Sequence, residues 1–221
     1  MTRTLAAAAL AFALMAGGGL WLSQSTGTAP AELPTGAANA QAAEVDTSTI
    51  QEMVLGNEEA EVEVIEYASF TCPHCATFHQ NVYGDLKANY IDTDKIKFTY
   101  REVYFDKYGM WASMIARCEP SKFFGIADLI YKGQSDWVRA GADGAIADEL
   151  RKIGLIAGID NDKLESCLTD GDKLRTLVAW YQENATADDV QSTPTFIIDG
   201  QKYSNMNYAD FSAILDEKLG E

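Results

Sequence analysis

Apolar and polar positions change their period twice along this chain. Val62-Glu63-Val64-Ile65-Glu66-Tyr67 is β-branched and aromatic and predicts a strand. From Pro73 to about Asn89 the composition turns helical, with proline suited to the first helical position. Residues Ile96 to Val103 alternate again, so strand, helix and strand make a βαβ unit. Between about 108 and 190 the period becomes helical. Trp111, Met114, Ile115 and Cys118 share one helical face, and Ile146, Leu150, Ile153 and Ala157 another. Leu164, Cys167 and Leu168 mark a third, and Leu174, Leu177, Val178 and Tyr181 a fourth. Pro120, Gly133, Gly141 and Gly144 supply breaks, predicting four or five short helices. The strand period returns at Thr195-Phe196-Ile197-Ile198. Asp199-Gly200 is a two-residue hairpin signal, and Gln201-Lys202-Tyr203 is its return strand. Asn207 is placed to cap a last helix with Tyr208, Phe211, Leu215 and Leu219 on its apolar face.

Composition bounds what such a chain can do. Its 221 residues suffice for one globular domain with a sizeable core. A net charge of -16 excludes nucleic acid and anionic membrane surfaces as main partners, because both require a basic footprint. At the N-terminus Arg3 precedes an apolar run from Leu5 to Leu22, the pattern of an export signal or of an uncleaved membrane anchor over residues 1–22. Residues 23–45 are Ala, Gly, Thr and Pro without a period and read as a flexible linker. Both N-terminal readings place the domain, residues 46–221, outside the cytoplasm. Four cysteines in an exported chain then suggest disulfides, although they allow three connectivities.

The chemistry centres on Cys72-Pro73-His74-Cys75. A C-x-x-C motif serves redox chemistry, half of a zinc site or haem attachment. Ala76 follows Cys75 where haem attachment needs His, and a zinc knuckle needs a second local pair. The motif stands between a strand and a helix, with Cys72 at the N-cap, and this favours redox. Unpaired N–H groups at a helix start favour a thiolate there, and a protonated His74 adds positive charge. A stabilised thiolate stabilises the reduced form and makes the disulfide the better oxidant. Cys75, one turn in, is expected to be the more buried, resolving thiol. His79 is expected as a helix-surface histidine. Glu66 has two readings: a carboxylate buried beneath the helix that passes protons to a thiol, or a strand charge facing solvent. Thr193-Pro194 precedes a strand and could display backbone to a substrate peptide. Cys118 and Cys167 lie on apolar helix faces without an activating motif, and read as a structural staple in preference to a second redox pair. No metal site and no cofactor are expected.

Two segments carry a family resemblance. Val64 to Cys75 (VIEYASFTCPHC) resembles the active-site segment of the DsbA-like oxidoreductases of the bacterial periplasm. Val190 to Gly200 (VQSTPTFIIDG) resembles that family's cis-proline segment. The resemblance spans about residues 50–220. It implies an α/β thioredoxin fold with an inserted helical domain, the thioredoxin part at about 46–107 and 188–221 and the insert at about 108–187. It further implies Cys72 as nucleophile, Cys75 as resolving cysteine, Glu66 at the buried acidic position and Thr193-Pro194 as the cis-proline loop that binds substrate. Reduced exported proteins are the implied substrates, and a quinone-linked membrane protein the implied reoxidant. The chain departs from the family at Asp189, where many relatives carry Gly, and in its extra Cys118/Cys167 pair. Aspartate tolerates left-handed backbone better than most residues.

The main expectation is therefore a monomeric periplasmic oxidase that donates disulfides. A reductase or isomerase of the same fold is the second reading. Isomerases of this type usually add a dimerisation domain, which the short linker cannot supply. A metal-binding chaperone using Cys72, Cys75 and His79 is the third.

Overall fold

The computed structural model describes residues 45–221. The expectations for residues 1–22, and for the linker up to residue 44, lie outside the described residues. Five strands form one sheet: β1 (Met53–Gly56), β2 (Val62–Ala68), β3 (Ile96–Glu102), β4 (Thr195–Ile198) and β5 (Gln201–Ser204), in the order β1-β3-β2-β4-β5. β2 and β3 run parallel, joined by a helical crossover, and every other pair is antiparallel. β2 is thus the central strand, and Glu66 sits between Tyr100 on β3 and Phe196 on β4. β1 is an addition to the predicted elements. Met-Val-Leu-Gly is too short to show an alternation, and its strand character comes from pairing with β3.

The crossover begins with α1 (Pro73–Asn81) and continues through α2 (Tyr83–Leu86) and a π-helical turn, Lys87–Ile91. The sequence predicts one helix here. Instead Val82, at φ -124°, interrupts it, and Tyr83 and Leu86 beyond the break are buried. Six α-helices follow: α3 (Lys107–Ala116), α4 (Phe123–Lys132), α5 (Gln134–Trp137), α6 (Asp143–Ile156), α7 (Asn161–Thr169) and α8 (Gly171–Ala187). They exceed the predicted four or five. α4 is the most regular of them, burying Phe123, Ile126, Ala127, Ile130 and Tyr131 along one stripe. α9 (Tyr208–Leu219) closes the chain with its N-cap at Asn207, as the sequence predicts.

The core divides at the sheet. Val62, Val64 and Ala68 face α1, α4 and α9, where Phe78, Phe196 and Phe211 pack ring against ring. Ile65, Tyr67 and Ile197 face the other way, against Ala185 of α8 and Val190. Each Val, Ile or Phe side chain buried whole contributes about 1.5–3 kcal/mol. The hairpin follows its signal: Asp199 (φ 46°) and Gly200 (φ 74°) both take the left-handed conformation that a type I′ turn needs. Gly56 (φ 79°) is required at the end of β1, where a Cβ would stand 2.3 Å from the Ile96 carbonyl.

Candidate active site

β2 delivers the chain to Cys72, which caps α1 with φ -79° and ψ 119°, followed by Pro73 in the first turn. The Cys75 main-chain N–H donates to the Cys72 sulfur at 3.4 Å. This is the N-cap geometry that the motif predicts, with sulfur in place of the usual side-chain oxygen. Cys72 Sγ also lies 3.4 Å from the Thr193 carbonyl, across the cis Thr193–Pro194 bond. Two segments 121 residues apart therefore meet at one sulfur.

The two thiols are free, and their surroundings push them in opposite directions. Cys72 is lowered from 9.0 to about 5. The hydrogen bond from the Cys75 thiol contributes most, burial opposes it, and Thr193 and the N–H groups of Cys75 and His74 add to the lowering. Cys75 is wholly buried, and burial, then the neighbouring Cys72 and the charge of Glu66, drive its thiol far upward. One sulfur is thus a nucleophile and good leaving group at neutral pH, and the other holds its proton.

Glu66 is completely buried on the sheet face beneath α1. This rules out the strand charge facing solvent, because a central strand covered by a helix shields its inward side chains. Its oxygens lie 3.0 and 3.1 Å from Nε2 of His79. His79 is a correction to the sequence reading: its side chain is only 6% exposed. It stacks on Tyr131 at 4.2 Å between ring centroids. The face it shares with Cys75, one turn earlier, points at the sheet. Tyr131 in turn shares a hydroxyl–hydroxyl hydrogen bond of 2.6 Å with Tyr100. Because His79 faces Glu66, its Nε2 is committed away from the two sulfurs.

His74 is exposed, and its main-chain N–H is the part that acts on Cys72. Cys118 and Cys167 form a disulfide between the end of α3 and α7, with Cα atoms 5.6 Å apart. Asp189 takes the left-handed conformation, φ 49°, where it accepts hydrogen bonds from Lys202 and Gln191. Sequence reasoning missed Gln134. Its buried amide donates to the carbonyls of Phe70 and Cys72 at 2.7 and 2.9 Å, pinning the turn that carries the nucleophile. Nothing local marks it, since its role depends on α5 lying against a loop more than 60 residues earlier.

The family model described as Thioredoxin matches residues 48–217. A Rickettsia bellii relative with the provisional name protein-disulfide oxidoreductase is 34% identical over 172 residues, 77% of this chain. The match spans 65% of that relative's length. Among solved structures, alpha-DsbA1 of Wolbachia pipientis superposes with a TM-score of 0.70 at 24% identity, covering 77% of this chain and 92% of that one. A protein-disulfide isomerase of Novosphingobium aromaticivorans gives 0.68 at 26% identity, covering 77% and 98%. The family match covers most of the chain, so the chain belongs to the thioredoxin family, with the fold of its DsbA-type members.

Proposed function

We propose that this chain is a periplasmic thiol:disulfide oxidoreductase that donates a disulfide to exported proteins. The observation that carries the reading is the split between its two sulfurs: Cys72 lowered to about 5, Cys75 buried and raised. A substrate thiolate attacks Cys72 Sγ of the Cys72–Cys75 disulfide, forming a mixed disulfide and leaving the electron pair on Cys75, which takes a proton. A second substrate thiolate attacks the substrate sulfur of that mixed disulfide. The substrate disulfide forms and Cys72 departs as a stable thiolate, so the oxidising direction is favoured. The exposed His74 and the Thr193-Pro194 loop flank the attacked sulfur and position the substrate peptide. Glu66 acts behind Cys75 as a proton donor and acceptor. Cys118–Cys167 holds the inserted helices. A quinone-linked membrane protein restores the disulfide, and the chain works as a monomer.

A redox titration with oxidative refolding of a reduced substrate tests this. The expected potential is well above the about -270 mV of thioredoxin, with recovery of active substrate. A potential near thioredoxin's and no oxidase activity would overturn the reading in favour of a reductase. A stable dimer that reshuffles wrong disulfides would favour an isomerase.

A further inference from the structure

We propose that His79 is the proton port of the buried thiol: a relay that connects Glu66, and through it Cys75, to water in a cleft between α1–α2 and α4. The inference rests on reading Cys75 as the resolving thiol.

Geometry supports a two-ended ring. Nε2 is bound to both oxygens of Glu66. Nδ1 makes no hydrogen bond to the described residues, and the side chain keeps 6% of its surface exposed. His79 lines a cleft of about 490 Å³ with Gln80, Tyr83, Phe124, Asp128 and Lys132. Glu66 itself is completely buried. Tyr100 and Phe196 flank it in the sheet, Tyr131 covers the imidazole, and Phe78 packs beside it on α1. The ring touches both: it is hydrogen-bonded to the carboxylate and lines the cleft.

The steps balance. When a thiolate attacks Cys72, the Sγ–Sγ bond breaks and its electron pair stays on Cys75. Water in the cleft gives a proton to Nδ1, Nε2 passes its own to Glu66, and Glu66 delivers one to the Cys75 sulfur. The ring then carries its hydrogen on Nδ1. Closing the disulfide reverses the sequence: Cys75 protonates Glu66, Glu66 protonates Nε2, and Nδ1 releases to water. One full cycle returns the ring to its starting tautomer. His79 is a positioning and relay residue, since it touches neither sulfur nor substrate.

The test is single-turnover reduction of the Cys72–Cys75 disulfide by dithiothreitol, followed by acid quench and thiol trapping. This step requires neither an exported substrate nor an oxidising direction, so it can succeed while the oxidase reading fails, and the reverse. His79→Gln keeps a donor to Glu66 but carries no proton, and is expected to slow the step about a hundredfold, the scale of a lost general acid. His79→Ala opens the ring's space to the cleft, and added imidazole is expected to restore most of its rate. Reduction of His79→Gln at the wild-type rate would overturn the proposal, leaving the ring as a mere hydrogen-bond donor. Slow reduction of a folded His79→Ala that ignores imidazole would overturn it as well. Should His79→Ala not fold, the His79→Gln rate decides alone.

Discussion

The amide of Cys75 donates to the sulfur of Cys72 at 3.4 Å, so the two cysteines that exchange one disulfide are also cap and first turn of one helix. That relationship binds redox chemistry to local folding. Anything that loosens the start of α1 also alters the nucleophile.

The first consequence is a pH dependence of reactivity. With Cys72 lowered to about 5 and Cys75 far above it, only one thiol should ionise across the accessible range. Alkylation by iodoacetamide should reach a plateau above a midpoint near pH 5 and modify Cys72 alone. A midpoint near pH 9 would contradict the environment described for this sulfur.

Stability of the reduced protein should follow the same group. The folded value of Cys72 is depressed, so its contribution is fully present above the unfolded value of 9.0 and is lost as pH falls through about 5. Urea unfolding of reduced wild type and Cys72→Ser between pH 4 and 8 measures it. The difference between the two proteins should grow with pH. A constant difference would show that the thiolate is not stabilised by folding.

Gln134 bridges two carbonyls: that of Phe70, and that of Cys72, which also accepts from the Ala76 N–H at 3.2 Å. Gln134→Leu keeps the volume but leaves the Phe70 carbonyl unpaired and the Cys72 carbonyl with only its Ala76 N–H, at a cost of about 1–3 kcal/mol by urea unfolding. It should also shift the midpoint of Cys72 alkylation, because the turn before α1 loses its anchor. An unchanged midpoint with lowered stability would restrict Gln134 to folding.

A second buried site lies away from the chemistry. Arg117 binds both oxygens of Glu102, at 2.5 and 2.7 Å, and the Gln51 carbonyl at 2.8 Å, with Arg117 and Glu102 nearly inaccessible. Arg117→Met strands a buried carboxylate and should cost about 3–5 kcal/mol, whereas replacing both partners by apolar residues should cost much less. Equal losses in the single and double variants would mean that packing, not charge, governs the site.

The Cys118–Cys167 bridge closes a separation of 49 residues. Replacing both cysteines by alanine should lower stability by about 4 kcal/mol in the chain-entropy account. Loss of Cys72 reactivity in the folded variant would show that the bridge does more than restrain the inserted helices.

Much of the fold was legible because its signals are local. The β-branched runs, the Asp199-Gly200 turn, the Asn207 cap and the Cys72-Pro73 helix start depend on a few neighbouring residues each, and all appear where the sequence places them. β1 and the break at Val82 were not legible, since β1 depends on β3 for its conformation and the break shows only as a backbone angle. The chemistry divides in the same way. The sequence alone determined that a low-lying thiol would stand at a helix N-cap, because the atoms that lower it belong largely to residues 72–75. Only the tertiary structure decided that Glu66 is enclosed, that His79 turns inward to meet it, and that Gln134 and Thr193 converge on Cys72. Those facts depend on which strand is central and which helix covers it. Burial is set by contacts between distant segments, and a residue's own neighbours in the chain carry no record of them.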